Sequence, residues 1–118
     1  MIASLLTAAI VALHLYILVL EMFRWEHPRT RRAFGTTEEF AKATKVLAAN
    51  QGLYNGFLAA ACLLGLVYPD PAIAKAFALF GLACVAVAGV WGAVTVMVRI
   101  LYIQTVPAVL GLAAIYWL

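Results

Sequence analysis

Residues 2–23 read IASLLTAAIVALHLYILVLEMF, an apolar run that contains one acidic residue, Glu21, and one histidine, His14. An α-helix needs about 20 mainly apolar residues to cross the hydrocarbon core of a bilayer. The run is followed by Arg24-Trp25-Glu26-His27-Pro28, which combines charges, an interfacial aromatic and a helix breaker. We therefore predict that this segment is a membrane-spanning helix.

Three further helices are predicted at about residues 37–68, 72–98 and 102–118. Thr36 and Glu39 form a capping-box pattern at the start of the second helix, after a loop over residues 29–35. A turn near Arg99 separates the last two helices, because one continuous helix there would be too long for a bilayer. The predicted fold is all-α, a single transmembrane domain over residues 1–118 built as a four-helix bundle.

Composition supports a membrane location. Hydrophobic residues make up 67% of the chain and charged residues 11%, whereas soluble domains carry about 45–50% and about 25%. A chain of 118 residues cannot bury that excess, because small domains leave a large share of their surface exposed. We therefore expect a lipid bilayer to solvate the outer faces of the helices.

The distribution of basic residues predicts the orientation. The first loop and its flanks carry Arg24, Arg29, Arg31, Arg32, Lys42 and Lys45. The positive-inside rule places this loop in the cytoplasm and both termini outside, as a multi-pass protein of the bacterial cytoplasmic (inner) membrane. The same cluster is a topology determinant or a contact for lipid headgroups. Since that position accounts for the net charge of +3, we do not expect nucleic-acid binding.

Polar side chains within the apolar segments are the candidate site residues, because such residues usually face a bundle interior or a cavity. They are His14, Glu21, Asn50, Gln51, Asn55, Arg99 and Gln104. By depth, most of them fall toward the cytoplasmic half. We therefore predict a polar pocket that opens to the cytoplasm.

Each of these features has more than one interpretation. Gly52 and Gly56 predict a close-packed helix interface. The three amides between residues 50 and 55 either bridge helices by hydrogen bonds or orient a polar ligand. Glu21 either pairs with a basic residue such as Arg24, Lys45 or Arg99, or acts as a catalytic acid or base. His14 is either a hydrogen-bonded interior residue or part of a proton relay with Glu21. We predict no metal site.

Two stretches carry a resemblance to a known family. They are Leu15-Tyr16-Ile17-Leu18-Val19-Leu20-Glu21-Met22-Phe23-x-Trp25 and the run Asn50-Gln51-Gly52-Leu53-Tyr54-Asn55-Gly56. In these stretches the chain resembles a family of small bacterial four-helix membrane proteins filed as a domain of unknown function, some of them labelled epimerase. The resemblance covers essentially the whole chain and implies the four-helix fold.

A second resemblance is to the trimeric eicosanoid and glutathione membrane enzymes (the MAPEG superfamily). Arg99 and Tyr102 match the Arg-x-x-Tyr pattern of that superfamily, and Asn50 matches the asparagine of its second helix. Val46 and Leu53 stand where that motif has charged residues. Those charges help to hold glutathione in that superfamily, so the resemblance implies the four-helix architecture and leaves the cofactor open, with glutathione as the candidate and Tyr102 among the candidate binding residues.

The leading hypothesis is a small membrane protein whose polar pocket binds a small or amphiphilic ligand. The ligand-binding candidates are Asn50, Gln51, Asn55, Arg99, Tyr102 and Gln104, and the catalytic candidates are Glu21 and His14. The alternatives are an oligomeric transporter or channel component and a glutathione- or lipid-modifying enzyme. We expect a homo-oligomer, a dimer or trimer.

Overall fold

The computed structural model describes residues 1–118 and contains helices but no strands. In chain order the elements are α1 (Ile2–Phe23), α2 (Pro28–Phe34), α3 (Glu38–Ala43), α4 (Lys45–Val67), α5 (Pro71–Thr95), a π-helical turn (Leu101–Thr105) and α6 (Val106–Trp117). The all-α class is confirmed. The four predicted helices are too few, because two short helices, α2 and α3, lie between α1 and α4.

The chain divides into two compact units. The split unit consists of Met1–Ala12 and Leu58–Leu118, and the continuous unit of Leu13–Phe57. Helices α5 and α6 belong to the split unit, and α2 and α3 to the continuous unit. Helices α1 and α4 contribute residues to both.

Small and apolar side chains form the core of the split unit. Its buried members are Ile10, Val11, Ala59, Cys62, Leu82, Val85 and Ala108. A Cβ added at Gly65 would lie 2.8 Å from backbone atoms of Ala78, and one added at Gly81 would lie 2.8 Å from the Sγ of Cys62. Close approach at small residues is typical of helices packed in apolar surroundings.

Helix α5 ends at Thr95, earlier than the predicted residue 98, and the predicted break near Arg99 falls between it and the π-helical turn. Pro107 accounts for that turn. Its ring lacks an N–H and crowds the carbonyl of Ile103, four residues earlier. The N–H of Val106 donates to the carbonyl of Leu101, five residues back, and the helix widens there.

Helix α2 replaces the loop predicted at residues 29–35. The Nδ1 atom of His27 accepts a hydrogen bond from the backbone N–H of Arg29 at 3.2 Å. Pro28 follows at the first helical position, where a missing N–H costs nothing. Gly35 ends the helix with a φ of 68°, in the left-handed region. Local caps at both ends therefore stabilise a helix of only seven residues.

The second predicted helix, residues 37–68, is two helices that meet at Thr44. The Oγ1 atom of Thr44 donates to the carbonyl of Phe40 at 2.7 Å and accepts from the Nε1 of Trp25 at 3.1 Å. A threonine that bonds back in this way bends a helix. The predicted capping box is also wrong, because Thr37, not Thr36, caps α3 by accepting from the N–H of Phe40.

Two helices, α1 and α5, are long and apolar enough to cross a membrane by length and composition. The sequence predicts four spans. Helix α4 has 23 residues, but its three amides lower the hydropathy of its first half. The π-helical turn and α6 together form a shorter apolar helix, Leu101–Trp117.

Candidate functional site

A buried carboxyl–amide pair joins α1 to α4 in the continuous unit. The Nδ2 atom of Asn55 donates to the Oε1 of Glu21 at 2.6 Å and to the carbonyl of Gln51 at 3.2 Å. The Glu21 residue is only 2% exposed. Because an unbonded buried polar group is costly, this hydrogen bond determines which faces of α1 and α4 can meet.

Two glycines allow the close approach that this pair requires. A Cβ added at Gly52 would lie 2.7 Å from the Cγ of Met22 and 3.0 Å from the Cβ of Glu21. One added at Gly56 would lie 2.7 Å from the Cδ1 of Leu18. Gly52 and Gly56 therefore form a close helix contact, and the Glu21–Asn55 bond lies beside it.

An open cleft of about 410 Å³ lies where α1 ends. Its lining combines apolar and charged side chains: Met22, Phe23, Arg24, Trp25, Glu26, His27 and Lys45. The Nζ of Lys45 lies 3.5 Å from the Oε1 of Glu26, and both side chains are well exposed. Exposed ion pairs contribute only about 0–1 kcal/mol. A ligand anion could therefore replace the Glu26 carboxylate beside Lys45 at little cost.

Trp25 is held in the wall of this cleft by two contacts. Its Nε1 donates to the Oγ1 of Thr44 at 3.1 Å. Its ring packs edge-on against Phe34, with the centroids 5.0 Å apart. Aromatic pairs of this kind contribute about 0.5–1.5 kcal/mol beyond the area that they bury. Trp25 therefore connects the end of α1 with both α2 and the start of α4.

The structure joins some of the predicted site residues and not others. Glu21 and Asn55 are bonded, and His14 is fully buried in the same unit. Asn50 and Gln51 are exposed, and their side chains form no hydrogen bond within the chain.

The remaining three candidates lie in the split unit. Arg99 and Tyr102 are exposed, and Gln104 is partly buried in the π-helical turn. The Nη2 of Arg99 lies 3.6 Å from the Sδ of Met97. No group of three or more His, Cys, Asp and Glu side chains is placed to hold a metal ion.

Sequence reasoning missed the cleft. The sequence predicts that residues 24–28 mark the membrane interface, and an ion pair with Arg24, Lys45 or Arg99 is one of its two interpretations of Glu21. In the structure Lys45 pairs with Glu26, and Glu21 bonds to Asn55. The available signal was the alternation of aromatic and charged residues after α1. It did not show that Lys45, about twenty residues further on, lines the same cleft.

The geometry defines a helical protein with a close-packed apolar part and a polar, basic part that holds a cleft. A family model described as "Protein of unknown function (DUF1304)" matches residues 8–116, and the chain belongs to this family. The predicted resemblance to a domain of unknown function is thereby confirmed. No curated protein and no solved structure matches the chain.

Proposed function

We propose that this chain is a multi-pass protein of the bacterial cytoplasmic membrane whose cleft at the end of α1 binds a small amphiphilic molecule with an anionic head. The composition of the cleft carries the proposal. Cationic side chains (Arg24 and Lys45) and apolar ones (Met22, Phe23 and Trp25) line one cavity.

The membrane location rests on the apolar helices. Helices α1 and α5 have mean hydropathies of 2.3 and 2.2 in their most apolar windows. In the proposed topology α4 and α6 are the second and fourth spans. The basic residues between Arg24 and Lys45 lie in the cytoplasm, in agreement with the positive-inside rule.

The ligand class follows from the two kinds of lining. Ligand pockets usually have volumes of about 300–1,000 Å³ and apolar walls with a few placed polar groups, and this cleft is at the lower end of that range. A carboxylate or phosphate head would bind the Lys45 ammonium and the Arg24 guanidinium. An apolar tail would contact Trp25, Met22 and Phe23.

In this proposal Glu21 and Asn55 position the cleft. Glu21 does not line it and is almost completely buried. Its bond to Asn55 holds the last turns of α1 against α4, which carries Lys45 at its start. We therefore assign Glu21 a positioning role in place of the ion pair and the acid or base role that the sequence leaves open.

The test is ligand binding to the protein in phosphatidylcholine nanodiscs, measured as a change in its thermal unfolding. Dodecanoate should stabilise the protein and dodecanol should not, because only the former carries an anionic head. At about 100 Kd of ligand the expected gain is about 2.7 kcal/mol. Lys45→Gln should reduce this gain, whereas Lys42→Gln, an exposed change on α3, should not. Equal stabilisation by both compounds, or equal loss in both variants, would rule out the proposed site.

A second candidate is an oligomeric assembly, as expected for a transporter or channel component. It is favoured by Asn50 and Tyr54, which are exposed on one face of the apolar helix α4. An amide in a membrane span gains about 0.6–2 kcal/mol from an interhelical hydrogen bond. A second copy of the chain would supply the partner for that bond. Light scattering of the detergent complex should report a dimer or trimer that Asn50→Leu weakens. A wild-type monomer would exclude it.

A further inference from the structure

We infer that α2 is a binding surface for the headgroups of anionic phospholipids. The inference rests on the proposed membrane location and concerns residues outside the ligand cleft. Its principal residues are Arg29 and Arg32, both exposed.

The two sides of α2 differ in composition. Thr30 is 2% exposed, and Phe34 on the same side is partly buried against Trp25. The opposite side presents Arg29 and Arg32, which are three residues apart. Residues at this spacing are neighbours on a helix, with Cβ atoms about 5–6 Å apart. Two guanidinium groups are thus presented side by side toward the surroundings.

These arginines lack a counter-charge within the chain. Neither Arg29 nor Arg32 forms an ion pair, and the carboxylate of Glu26 is paired with Lys45. Like charges at this helical spacing repel each other. An external anion would relieve the repulsion, and a phosphodiester matches the paired donors of a guanidinium group.

The surface is held in a fixed conformation. His27 caps the start of α2 and Gly35 its end. The Nε of Arg31 donates to the backbone carbonyl of Glu26 at 3.1 Å, and the Trp25–Phe34 contact fixes the buried side. A binding surface that is already ordered loses little conformational freedom when it binds.

Position in the chain favours a bilayer over nucleic acid. Helix α2 begins five residues after the end of α1, an apolar helix long enough to cross a membrane. In the proposed topology its arginines therefore lie at the headgroup layer. Basic residues next to a membrane span are attracted to anionic lipid there.

The experiment uses the full chain in nanodiscs of phosphatidylcholine mixed with phosphatidylglycerol. Native mass spectrometry measures how strongly the released protein retains phosphatidylglycerol over phosphatidylcholine. Arg29→Gln and Arg32→Gln should each lower this preference about fivefold, equivalent to about 1 kcal/mol. Arg32→Lys keeps the charge and should retain most of it. Added salt should lower the preference of the wild-type protein, because salt screens exposed charges.

The control is Lys75→Gln, which removes the same charge from an exposed position on α5. It should leave the preference within about twofold, because Lys75 has no basic neighbour on its helix and its ammonium lies over the ring of Tyr116. An equal loss in Lys75→Gln, or none in Arg29→Gln with Arg32→Gln, would overturn the inference. So would RNA that displaces the lipid from the wild-type protein. Failure to insert into nanodiscs at all would reject the membrane location as well, whereas insertion without lipid preference rejects this inference alone.

Discussion

The two units of the chain hold their helices together in different ways. In the split unit the buried residues are mostly apolar, and glycines bring helices into close contact. There, a side-chain hydrogen bond between separate helical elements joins the Oγ1 of Thr105 to the carbonyl of Ala86 at 2.9 Å. In the continuous unit, side-chain hydrogen bonds link α1 to α4 and Trp25 to Thr44.

The split unit is therefore held by apolar packing, whereas the continuous unit also contains polar contacts between helices. Helices in apolar surroundings associate mainly through close van der Waals contact at small residues, and the split unit follows that rule. A buried polar group contributes specificity when it has a partner, as the Glu21 carboxyl has in the Asn55 amide. The continuous unit carries the buried carboxyl, the cleft and the basic helix, so under the proposed function we expect changes in the cleft and on α2 to alter binding, and changes at the buried pair to alter stability.

The largest effect on stability is expected from Gly89→Ala in the split unit. A Cβ at this position would overlap the Oγ1 of Thr105 and lie 2.8 Å from its backbone nitrogen. Backbone atoms of the π-helical turn would have to move, and overpacking of this kind costs about 1–3 kcal/mol. We expect about 3 kcal/mol, measured by unfolding in a fixed detergent.

Gly92→Ala is the matched control. Its Cβ would meet the Cγ2 of Ile100 at 2.9 Å, a side-chain atom that can rotate away. It should cost less than half as much as Gly89→Ala. Equal costs for the two variants would mean that the π-helical turn is not rigidly packed against α5, and the contrast between the units would weaken.

The bounds of some helices follow from residues close in sequence, and the bounds of others depend on contacts with residues far along the chain. The bounds of α1 match the predicted residues 2–23, because an apolar run and its charged flank are local. The break at Thr44 depends on Trp25, which is 19 residues away. No pattern around Thr44 shows that contact. Helix α2 could have been predicted from His27, Pro28 and Gly35, whose capping roles are local.

The site was predictable to a similar extent. A carboxyl and amides within apolar helices identify Glu21 and Asn55 as candidates, because such residues are costly unless they have partners. Their bond to each other depends on the packing of α1 on α4 at Gly52. Asn50 has the same composition signal but lies on an exposed face. Residue type therefore identifies the candidates, and only the packing of the helices shows which of them are bonded and which are exposed.

An intermediate effect is expected from Asn55→Leu in the continuous unit. The change leaves the buried carboxyl of Glu21 without its amide donor, and an unsatisfied buried group costs about 1–3 kcal/mol. We expect a loss of about 2 kcal/mol in the free energy of unfolding. It should be measured together with Glu21→Leu and the double variant.

The double variant tests whether Glu21 and Asn55 are coupled, as the contrast between the two units requires. Replacing both hydrogen-bonding partners by apolar groups is often nearly neutral, so Glu21→Leu with Asn55→Leu should recover most of the loss. That recovery would show that the pair selects a helix arrangement more than it stabilises one. Additive losses would mean that the two side chains are not coupled, and the continuous unit would then resemble the split unit.

The smallest effect is expected from two neighbouring threonines before α3. Thr37→Ala removes the oxygen that accepts from the N–H of Phe40, and loss of such a cap costs about 0.5–2 kcal/mol. The Oγ1 of Thr36 is buried without a hydrogen-bond partner, so Thr36→Ala should change stability by less than about 0.5 kcal/mol. Thermal unfolding of the two variants measures the difference. The opposite order would restore the capping box of Thr36 and Glu39, and α3 would then begin one residue earlier than the structure has it.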